Sequence, residues 1–378
     1  MNRVVATRWA IRGTAIAGAV ALGGFLVAAS GIIPLAASDG HWAITEWFVQ
    51  FVKRRSLATH TLGAEPLDLD DPWLVLQGAG HYDIGCRPCH GSPGFPAPRI
   101  ARAMLPPPPY LPARVEEMEP AELHYVVLHG LKFTGMPAWP APQREDEVRA
   151  VVAFLLEMPE LDAEEYRRLV EGEGARLPSS DTTSAALPDL VGPATVPDVV
   201  LYSCARCHGV DGRGRGNAAF PALAGQSREY LERALAAYAG DARHSGTMQP
   251  IAAELDAGRR RAIASYYAAL DPGAPVEPAG ARDRIERGAR IAREGLPERG
   301  VPSCRDCHGP TASARNAAYP RLAGQYAEYL VLQLELFRED RRGGSPYADL
   351  MQHVAPRLEP EEIRDVALYY ASLAPDAR

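Results

Sequence analysis

Hydrophobic residues along the chain recur with the spacing of a helix. Apolar positions three and four residues apart occur in segments such as PAELHYVVLHGL, EVRAVVAFLLEM and PEEIRDVALYYASL, and this period places them on one helical face. Several segments begin with Asp, Glu or Pro, which are common in a first helical turn. No stretch of useful length alternates between apolar and polar residues. The pattern therefore predicts an all-α protein built from short helices.

The longest apolar stretch lies at the N-terminus. Residues 14–37 contain no charged side chain, and a run of that length can cross a bilayer as a helix. Three arginines and no acid precede it, namely Arg3, Arg8 and Arg12. We therefore expect residues 1–38 to be a membrane anchor. The alternative is a cleaved signal peptide, with a processing site of small residues at Ala36-Ala37-Ser38.

The distribution of basic residues predicts the orientation of the chain. Arginines ahead of the span favour a cytoplasmic N-terminus, with residues 40–378 on the periplasmic side of a bacterial inner membrane. Three basic residues, Lys53, Arg54 and Arg55, follow the span. They favour the opposite orientation, with their own side of the span in the cytoplasm. Under both the anchor and the signal-peptide interpretation, most of the chain is exported.

Residues 39–65 form a separate segment with one apolar helical face. Its apolar side chains are spaced at i, i+3, i+4, i+7 and i+8, namely Ile44, Trp47, Phe48, Phe51 and Val52. One interpretation is an amphipathic interfacial helix that lies along the membrane surface, with its tryptophan and basic residues at the head groups. The other is a helix that packs on the first domain or on a partner subunit. The sequence leaves both open.

Proline-rich linkers divide the rest of the chain. They cover residues 173–197 and the segment DPGAPVEPAG, and stretches of this composition bury little apolar area. The predicted domains are residues 66–172 (domain 1), 198–272 (domain 2) and 273–378 (domain 3). Domains 2 and 3 repeat one another, because FPALAGQ and ASYYAAL in one match YPRLAGQ and ALYYASL in the other. Domain 1 lacks the LAGQ sequence and is a more distant relative.

All six cysteines lie in three Cys-x-x-Cys-His motifs, one in each domain. The residues are Cys86, Cys89 and His90; Cys204, Cys207 and His208; and Cys304, Cys307 and His308. The motif indicates covalent attachment of c-type haem, because two thiols one helical turn apart can each form a thioether to one porphyrin edge while the histidine binds the iron. A zinc site would need four ligands close together, and a thioredoxin-like pair would need a βαβ unit. A disulfide framework would not confine every cysteine to one repeated spacing.

One methionine follows each motif at a similar distance and lies in a predicted loop. Met136, Met248 and Met351 come 46, 40 and 43 residues after their histidines. A thioether as the sixth iron ligand raises the reduction potential, because soft sulfur favours ferrous iron. We predict that these methionines are the distal ligands. His244 and His353 are rivals near the last two sites.

The motif histidines are also expected to have a hydrogen-bond partner. A metal-bound histidine usually donates its second ring N–H to a carbonyl or a carboxylate. Pro221 and Pro320 lie 13 and 12 residues after the histidines of domains 2 and 3, in loops that could return a carbonyl to that position. In domain 1, the run MLPPPPYLP offers Pro106 or a neighbour. Proline has no N–H that would tie the residue into a helix.

Composition and charge narrow the choice of partners. The chain has 378 residues and a net charge of −7, and it lacks a basic stripe with interleaved aromatic residues, so nucleic acid is not an expected partner. Residues 61–195 hold 21 acidic and 10 basic side chains. This acidic first domain would dock a basic redox partner through long-range attraction.

At these motifs the chain resembles a triple class I cytochrome c. Residues 198–373 are similar to dihaem cytochromes of the c-four type, through CARCHGVDG with FPALAGQ and CRDCHGP with YPRLAGQ. Residues 66–160 resemble the mono-haem modules of oxidase and dehydrogenase subunits, through CRPCHGS and GMPAW. The resemblance implies three covalently bound haem c groups with histidine–methionine ligation. One departure is the short lead-in PDVVLYS, which implies an abbreviated N-terminal helix in domain 2.

The sequence thus predicts three tandem cytochrome c domains behind a transmembrane helix, and an electron carrier rather than an enzyme. The carrier would relay single electrons in a respiratory chain, with membrane-embedded or periplasmic redox proteins as partners: an oxidase, a quinol-oxidising complex or a dehydrogenase. A first alternative is a cytochrome subunit of a periplasmic dehydrogenase complex. A second is an enzyme such as a haem peroxidase, which would need a haem with an open distal position.

Overall fold

The structure, a computed structural model, describes residues 3–33, 36, 38–171, 200–274, 281–310 and 316–375. Within these ranges every regular element is a helix, and β-pairing is limited to the isolated bridges Ser92–Phe95 and Leu296–Val301. The all-α prediction is therefore confirmed. The predicted linker at 173–197 lies outside the described residues, as do residues 275–280 of the second linker.

Two helices precede the domains, α1 (Arg3–Ala29) and α2 (Ala43–His60). Within α1, residues Ile11–Ala29 have a mean hydropathy of 1.7 and no part of this stretch is buried. By length and composition this helix can cross a membrane, and a signal sequence would meet the same criterion. The first half of α2 exposes its apolar face, whereas its last turn contacts domain 1, where the His60 ring lies 5.3 Å from that of Tyr125.

Domain 1 is built around a close crossing of its first and fifth helices. Its helices are α3 (Pro72–Gly85), α4 (Arg87–His90), α5 (Arg99–Arg102), α6 (Pro120–His129), α7 (Glu145–Glu157) and α8 (Ala163–Glu171), with 3₁₀ turns at Leu111–Ala113, Val115–Glu117 and Met158–Glu160. Gly78 allows α3 to touch the main chain of α7, because a Cβ at this position would lie 1.9 Å from the Ala150 carbonyl oxygen. Beside the crossing, the rings of Tyr82 and Phe154 lie 5.2 Å apart in the core. The crossing positions the first motif, which follows α3 directly.

Domain 2, as described, begins at Val200. A π-helical turn (Val200–Cys204) runs into α9 (Ala205–His208), and α10 (Arg228–Ala239), α11 (Met248–Ala253) and α12 (Ala257–Ala269) follow, with a 3₁₀ turn at Gly214–Gly216. Leu231 of α10 packs with Ile263 and Tyr267 of α12 in its core. The N-terminal helix that would be abbreviated precedes Val200 and lies outside the described residues. Helix α8 of domain 1 contacts both α3 and α9, so the two domains meet beside the second motif.

Domain 3 repeats the crossing seen in domain 1. Its helices are α13 (Arg282–Glu294), α14 (Cys304–His308), α15 (Ala327–Arg338), α16 (Ala348–Val354) and α17 (Pro360–Ser372), with 3₁₀ turns at Pro297–Arg299 and Ala355–Arg357. Gly288 of α13 takes the role of Gly78, because a Cβ here would lie 2.0 Å from the Asp365 carbonyl oxygen of α17. Two domains that share little sequence therefore bring their first helix against a later one, α7 in domain 1 and α17 in domain 3, through the same close approach at a glycine.

Candidate haem-attachment sites

Each Cys-x-x-Cys-His motif ends in a one-turn helix that stops at a glycine. The glycines after the three histidines, Gly91, Gly209 and Gly309, have φ angles of 71°, 75° and 77°. This left-handed conformation is open to glycine and rare for other residues. The N–H of each glycine bonds back to the helix at 2.9, 2.8 and 2.8 Å. Glycine is therefore part of the functional motif, although cysteine and histidine chemistry alone does not reveal it.

The six cysteines are unpaired thiols. Burial raises the pKa of Cys86 and of Cys204 to about 12, and that of Cys207 and of Cys304 to about 11. Among the residues that the structure describes, no group of three or more His, Cys, Asp or Glu side chains could hold a metal ion. The four-ligand set of the zinc alternative is not assembled in that part of the chain.

A proline carbonyl orients the ring of each motif histidine. The distances from Nδ1 to the carbonyl oxygen are 2.9 Å for His90–Pro109, 3.1 Å for His208–Pro221 and 2.9 Å for His308–Pro320. Because a carbonyl can only accept, Nδ1 carries the proton and Nε2 keeps a lone pair that can bind iron. Burial also lowers the pKa of His90 and of His208, which favours the neutral ring that a metal requires.

The proline in domain 1 differs from the predicted one. Pro221 and Pro320 are the residues named from the sequence, but the prediction of Pro106 is wrong, because the structure brings the carbonyl of Pro109 to His90. Four consecutive prolines offer several carbonyls, and spacing cannot choose among them. The loop is also longer in domain 1, where the proline follows the histidine by 19 residues instead of 13 or 12.

Buried tyrosines fix the main chain of the motif glycines. Tyr82 of α3 donates to the Gly91 carbonyl at 2.6 Å, and Tyr267 of α12 donates to the Gly209 carbonyl at 3.3 Å. Both side chains are buried in the core of their domain. Tyr267 is the second tyrosine of ASYYAAL, and its hydrogen bond connects α12, the last helix of domain 2, to the motif.

Domains 2 and 3 share a cavity of 540 Å³. Its lining includes Cys204, Cys207, His208 and Met248 from domain 2, and Cys304, Cys307, His308 and Met351 from domain 3. The structure therefore brings the thiols, the imidazole and the predicted thioether of each domain to one space. The volume is within the range of about 300–1,000 Å³ that small-molecule and cofactor pockets occupy.

In domain 1, Met136 lies in the loop between α6 and α7 and is half-buried. Its N–H donates to Thr134 Oγ1 at 3.1 Å, and its carbonyl accepts the Leu131 N–H at 3.2 Å. Gly135 lies against the side chain of Met104, since a Cβ there would lie 2.0 Å from Met104 Cε. Local hydrogen bonds and this close approach hold the loop in one shape.

Two arginines that line the cavity, the buried Arg243 and the half-buried Arg342, test whether the site fits haem. Arg243 Nη2 donates to Tyr329 Oη at 3.1 Å and to Gln333 Oε1 at 3.2 Å, and Arg342 lies over the Phe337 ring at 4.3 Å. Neither guanidinium forms an ion pair with a carboxylate in the described ranges, and Arg342 Nε is buried without a hydrogen-bond partner. Buried charges are normally paired. Haem carries two propionate carboxylates, so these cations, thiols and imidazoles fit it.

The rival histidines have other contacts. His244 Nδ1 lies 3.4 Å from the Asp241 carboxylate. His353 borders the cavity but is exposed, and its Nδ1 lies 2.7 Å from the carbonyl oxygen of Asp349 within its own helix. Each ring therefore has a local partner that holds it.

The glutamine of each LAGQ sequence reaches into the other domain. Gln226 of domain 2 donates to the Arg321 carbonyl at 2.5 Å and accepts the Arg321 N–H at 3.0 Å. Gln325 of domain 3 makes the same pair with Ala222, at 2.9 Å and 3.0 Å. Arg321 and Ala222 each follow the proline that orients the motif histidine. The repeated sequence therefore joins the two domains symmetrically beside the shared cavity.

Comparison with known proteins places these sites in a family. Residues 74–155 match the model of cytochrome c oxidase, cbb3-type, subunit III, and residues 198–266 match that of cytochrome c. The thiosulfate dehydrogenase electron acceptor of Stutzerimonas stutzeri is 39% identical over 172 residues, which are 45% of this chain and 79% of that protein. Cytochrome c4 of Thiocapsa roseopersicina is 33% identical over 198 residues, 52% of this chain and 100% of that protein. The solved cytochrome c4 of Acidithiobacillus ferrooxidans is 32% identical, covers 45% of this chain and 98% of its own, and has a TM-score of 0.40.

The chain belongs to the class I c-type cytochromes. It is an electron-transfer protein that binds haem c covalently. Cytochromes c4 and electron acceptors of thiosulfate dehydrogenase are among its relatives, which match the second half of the chain, whereas the oxidase-subunit family matches residues 74–155.

Proposed function

We propose that this cytochrome carries three haem c groups and relays single electrons between them. The proposal rests on the proximal geometry that recurs in all three domains, a motif histidine whose Nδ1 lies 2.9 to 3.1 Å from a proline carbonyl. Haem supplies a one-electron couple in such a site. Met136, Met248 and Met351 are the proposed sixth ligands, and two ligands from the protein leave the iron suited to electron transfer rather than to substrate binding.

The relay is proposed to run through both domain contacts. The cavity shared by domains 2 and 3 reaches both motifs, so their haem groups would lie within one enclosure. Domain 1 adjoins the second motif, where Arg206 contacts Asp83 of α3. An order of domain 1, domain 2 and domain 3 is therefore the arrangement that the contacts support.

The chain is proposed to be anchored in a bacterial inner membrane, with its haem domains in the periplasm. Helix α1 is apolar enough to cross a bilayer, and the exposed apolar half of α2 would lie at the head groups on the outer side. An anchor raises the local concentration of the carrier near membrane-bound partners. Removing residues 1–38 behind an exchanged signal peptide should release a haem-loaded protein from the membrane fraction.

The names of the relatives favour a dehydrogenase as the electron donor. Domains 2 and 3 resemble dihaem cytochromes, and two relatives are described as thiosulfate dehydrogenase electron acceptors. We propose that these domains accept electrons from an enzyme of that type. Domain 1, which matches an oxidase-subunit family, would then pass electrons to an oxidase. A stable cytochrome subunit of the dehydrogenase complex is the second candidate.

Three measurements test this function. Intact mass of the mature protein should show three added haem groups, and a lower number would overturn the trihaem assignment. Rapid mixing with a purified thiosulfate dehydrogenase and thiosulfate should reduce the protein; failure to do so would exclude that donor. Detergent extraction separates the two candidates, because a free carrier elutes alone while a subunit co-purifies with its dehydrogenase.

A further inference from the structure

The loop that carries Met248 is held mainly by domain 1. Ser245 and Gly246, just ahead of this methionine, contact Glu147 on α7 of domain 1. Ser245 Oγ donates to Glu147 Oε1 at 2.6 Å, and the Gly246 N–H donates to Oε2 at 2.7 Å. The Glu147 side chain is only 3% exposed. A buried carboxylate with charge-assisted hydrogen bonds holds its donors more strongly than a neutral acceptor does.

The same carboxylate also holds the loop of domain 1. Trp139 Nε1 donates to Glu147 Oε2 at 3.1 Å, and Trp139 lies three residues after Met136. Arg144 Nη1 lies 3.2 Å from Glu147 Oε1 and donates to the His244 carbonyl at 2.8 Å. Glu147 therefore joins the segments that carry the proposed distal ligands of the first two haem groups.

The hydrogen bonds continue to the main chain of Met248. Ser245 Oγ accepts the Met248 N–H at 3.1 Å. His81 of α3 contacts Thr247 Oγ1, and the Gly246 backbone lies so close to Trp139 that a Cβ would come within 2.3 Å of its indole ring. Three successive residues ahead of Met248 are thus fixed by side chains of domain 1. The matching serine of domain 3, Ser345, accepts the Tyr347 N–H at 3.2 Å inside its own loop.

We propose that Glu147 is a positioning residue through which domain 1 holds the Met248 thioether in place for the second haem. The inference rests on the proposed haem ligation and goes beyond it, because it makes ligation in domain 2 depend on a docked domain 1. Four donors converge on the two oxygens of Glu147, and three of them, the Gly246 N–H, the Trp139 indole N–H and the Arg144 guanidinium, cannot accept. A carboxylate satisfies them all, whereas the amide of glutamine would turn an NH₂ group toward two of these donors.

The test compares the intact three-domain protein with two variants on the same helix. Glu147→Gln keeps the side-chain shape but removes the charge and replaces one of the two acceptor oxygens by an NH₂ donor. Glu145→Gln removes an equal charge at an exposed position of the first turn of α7. In the reduced protein each iron-bound methionine methyl group gives its own ring-shifted NMR signal, which replacement of Met136, Met248 or Met351 assigns. Redox titration adds the midpoint potentials.

Glu147→Gln should weaken or remove the Met248 signal and leave the Met351 signal unchanged. The potential of the second haem should fall, because a loosened thioether stabilises ferrous iron less. A tenfold loss in the preference of the thioether for ferrous over ferric iron corresponds to about 59 mV for a one-electron couple. Ser245→Ala should reproduce the effect, and the double variant should add little to either single change. Glu145→Gln should leave all three signals unchanged.

Two results would overturn the inference: an unchanged Met248 signal and potential in both Glu147→Gln and Ser245→Ala, or an equal change at all three sites. Intact mass distinguishes this failure from failure of the proposed function. If three haem groups are present and the Met248 signal is absent from the unmodified protein, the ligand assignment is wrong. If three groups and the signal are present but insensitive to Glu147, only the positioning role is wrong.

Discussion

Asp83 of domain 1 forms a buried ion pair with Arg206, the residue that precedes Cys207 in the second motif. The same carboxylate lies 2.7 Å from Nε of Arg87, inside the first motif, and accepts the Tyr166 hydroxyl at 2.5 Å. One acidic side chain, 4% exposed, therefore bridges two haem-attachment segments.

Replacing Asp83 by asparagine should weaken the contact between domains 1 and 2. Breaking a buried ion pair costs about 3–5 kcal/mol, and the change would leave the Arg206 side chain, 19% exposed, without its carboxylate partner. We expect a lower melting temperature by calorimetry and faster proteolysis between the domains. Asp306→Asn is the matched control, because Asp306 occupies the position of Arg206 in the third motif and is exposed. Equal melting temperatures for Asp83→Asn and the unmodified protein would contradict the prediction.

Gly78→Ala should disrupt domain 1 far more than Gly85→Ala on the same helix. A Cβ at position 78 would lie 1.9 Å from a carbonyl oxygen of α7, whereas no atom lies within 4 Å of a Cβ at position 85. We expect a loss of at least ~3 kcal/mol in the free energy of unfolding of domain 1 for Gly78→Ala. Gly85→Ala should be neutral or stabilising by up to about 1 kcal/mol. Denaturant titration measures both, and similar values would contradict the close crossing.

Acidification should weaken the contact between domains 1 and 2 through His81. Burial lowers the pKa of His81 from 6.5, and the charged groups that face it are Glu147, Arg144 and Asp146. The folded protein thus binds fewer protons than the unfolded chain below about pH 6.5, and the stability that His81 contributes is present above that pH and lost as the pH falls.

The unfolding free energy of the unmodified protein should therefore fall more steeply between about pH 7 and 5 than that of His81→Gln. The difference is bounded by one proton, or about 1.4 kcal/mol per pH unit. His129→Gln, at an exposed position of α6, is the control and should keep the steep slope. Parallel slopes for the unmodified protein and His81→Gln would show that His81 does not contribute.

Arg342→Met should lower the midpoint potentials of the haem groups in domains 2 and 3. The change removes a half-buried cation from the lining of the cavity, and the loss of positive charge beside a haem group disfavours the arrival of an electron. A shift of about 59 mV would correspond to a tenfold change in the ratio of reduced to oxidised haem. Arg338→Met, exposed at the end of α15, should leave the potentials unchanged. Redox titration that shows equal shifts in both variants would exclude a specific role.

The sequence contains the chemistry of each site but little of the contacts between sites. Cysteine and histidine at a fixed spacing encode the motif locally, and the offset from the motif singles out the three methionines. The loop prediction holds for Met136, whereas Met248 begins α11 and Met351 lies inside α16. Pro109 could not be chosen over Pro106 from spacing, because the choice depends on the path of a long loop. The matching LAGQ sequences are visible as a repeat, yet the exchange of Gln226 and Gln325 appears only once the domains are folded.

The sequence pattern does not indicate that Asp83 and Glu147 are buried at a contact between domains. Asp83 is the single acidic residue of α3, and Glu147 is one of three in the first turn of α7, where a solvated position is the ordinary expectation. Their burial results from the docking of domain 1 on domain 2, which brings Arg206 and Ser245 to them from more than 90 residues away. Interactions of this kind depend on tertiary geometry rather than on local propensity.

The enclosure shared by domains 2 and 3 has a consequence for dissecting the molecule. Both domains contribute residues to the lining of the cavity. Gln226 and Gln325 each form hydrogen bonds with the main chain of the other domain. If the chain were cut within residues 271–280, domains 2 and 3 would each expose their lining of the cavity to water. The two pieces would then tend to re-associate or aggregate. A fragment that is meant to keep the cavity should therefore retain domains 2 and 3 as a single piece, and domain 1 as well where its lining residues His81, Arg144 and Glu147 are to be preserved.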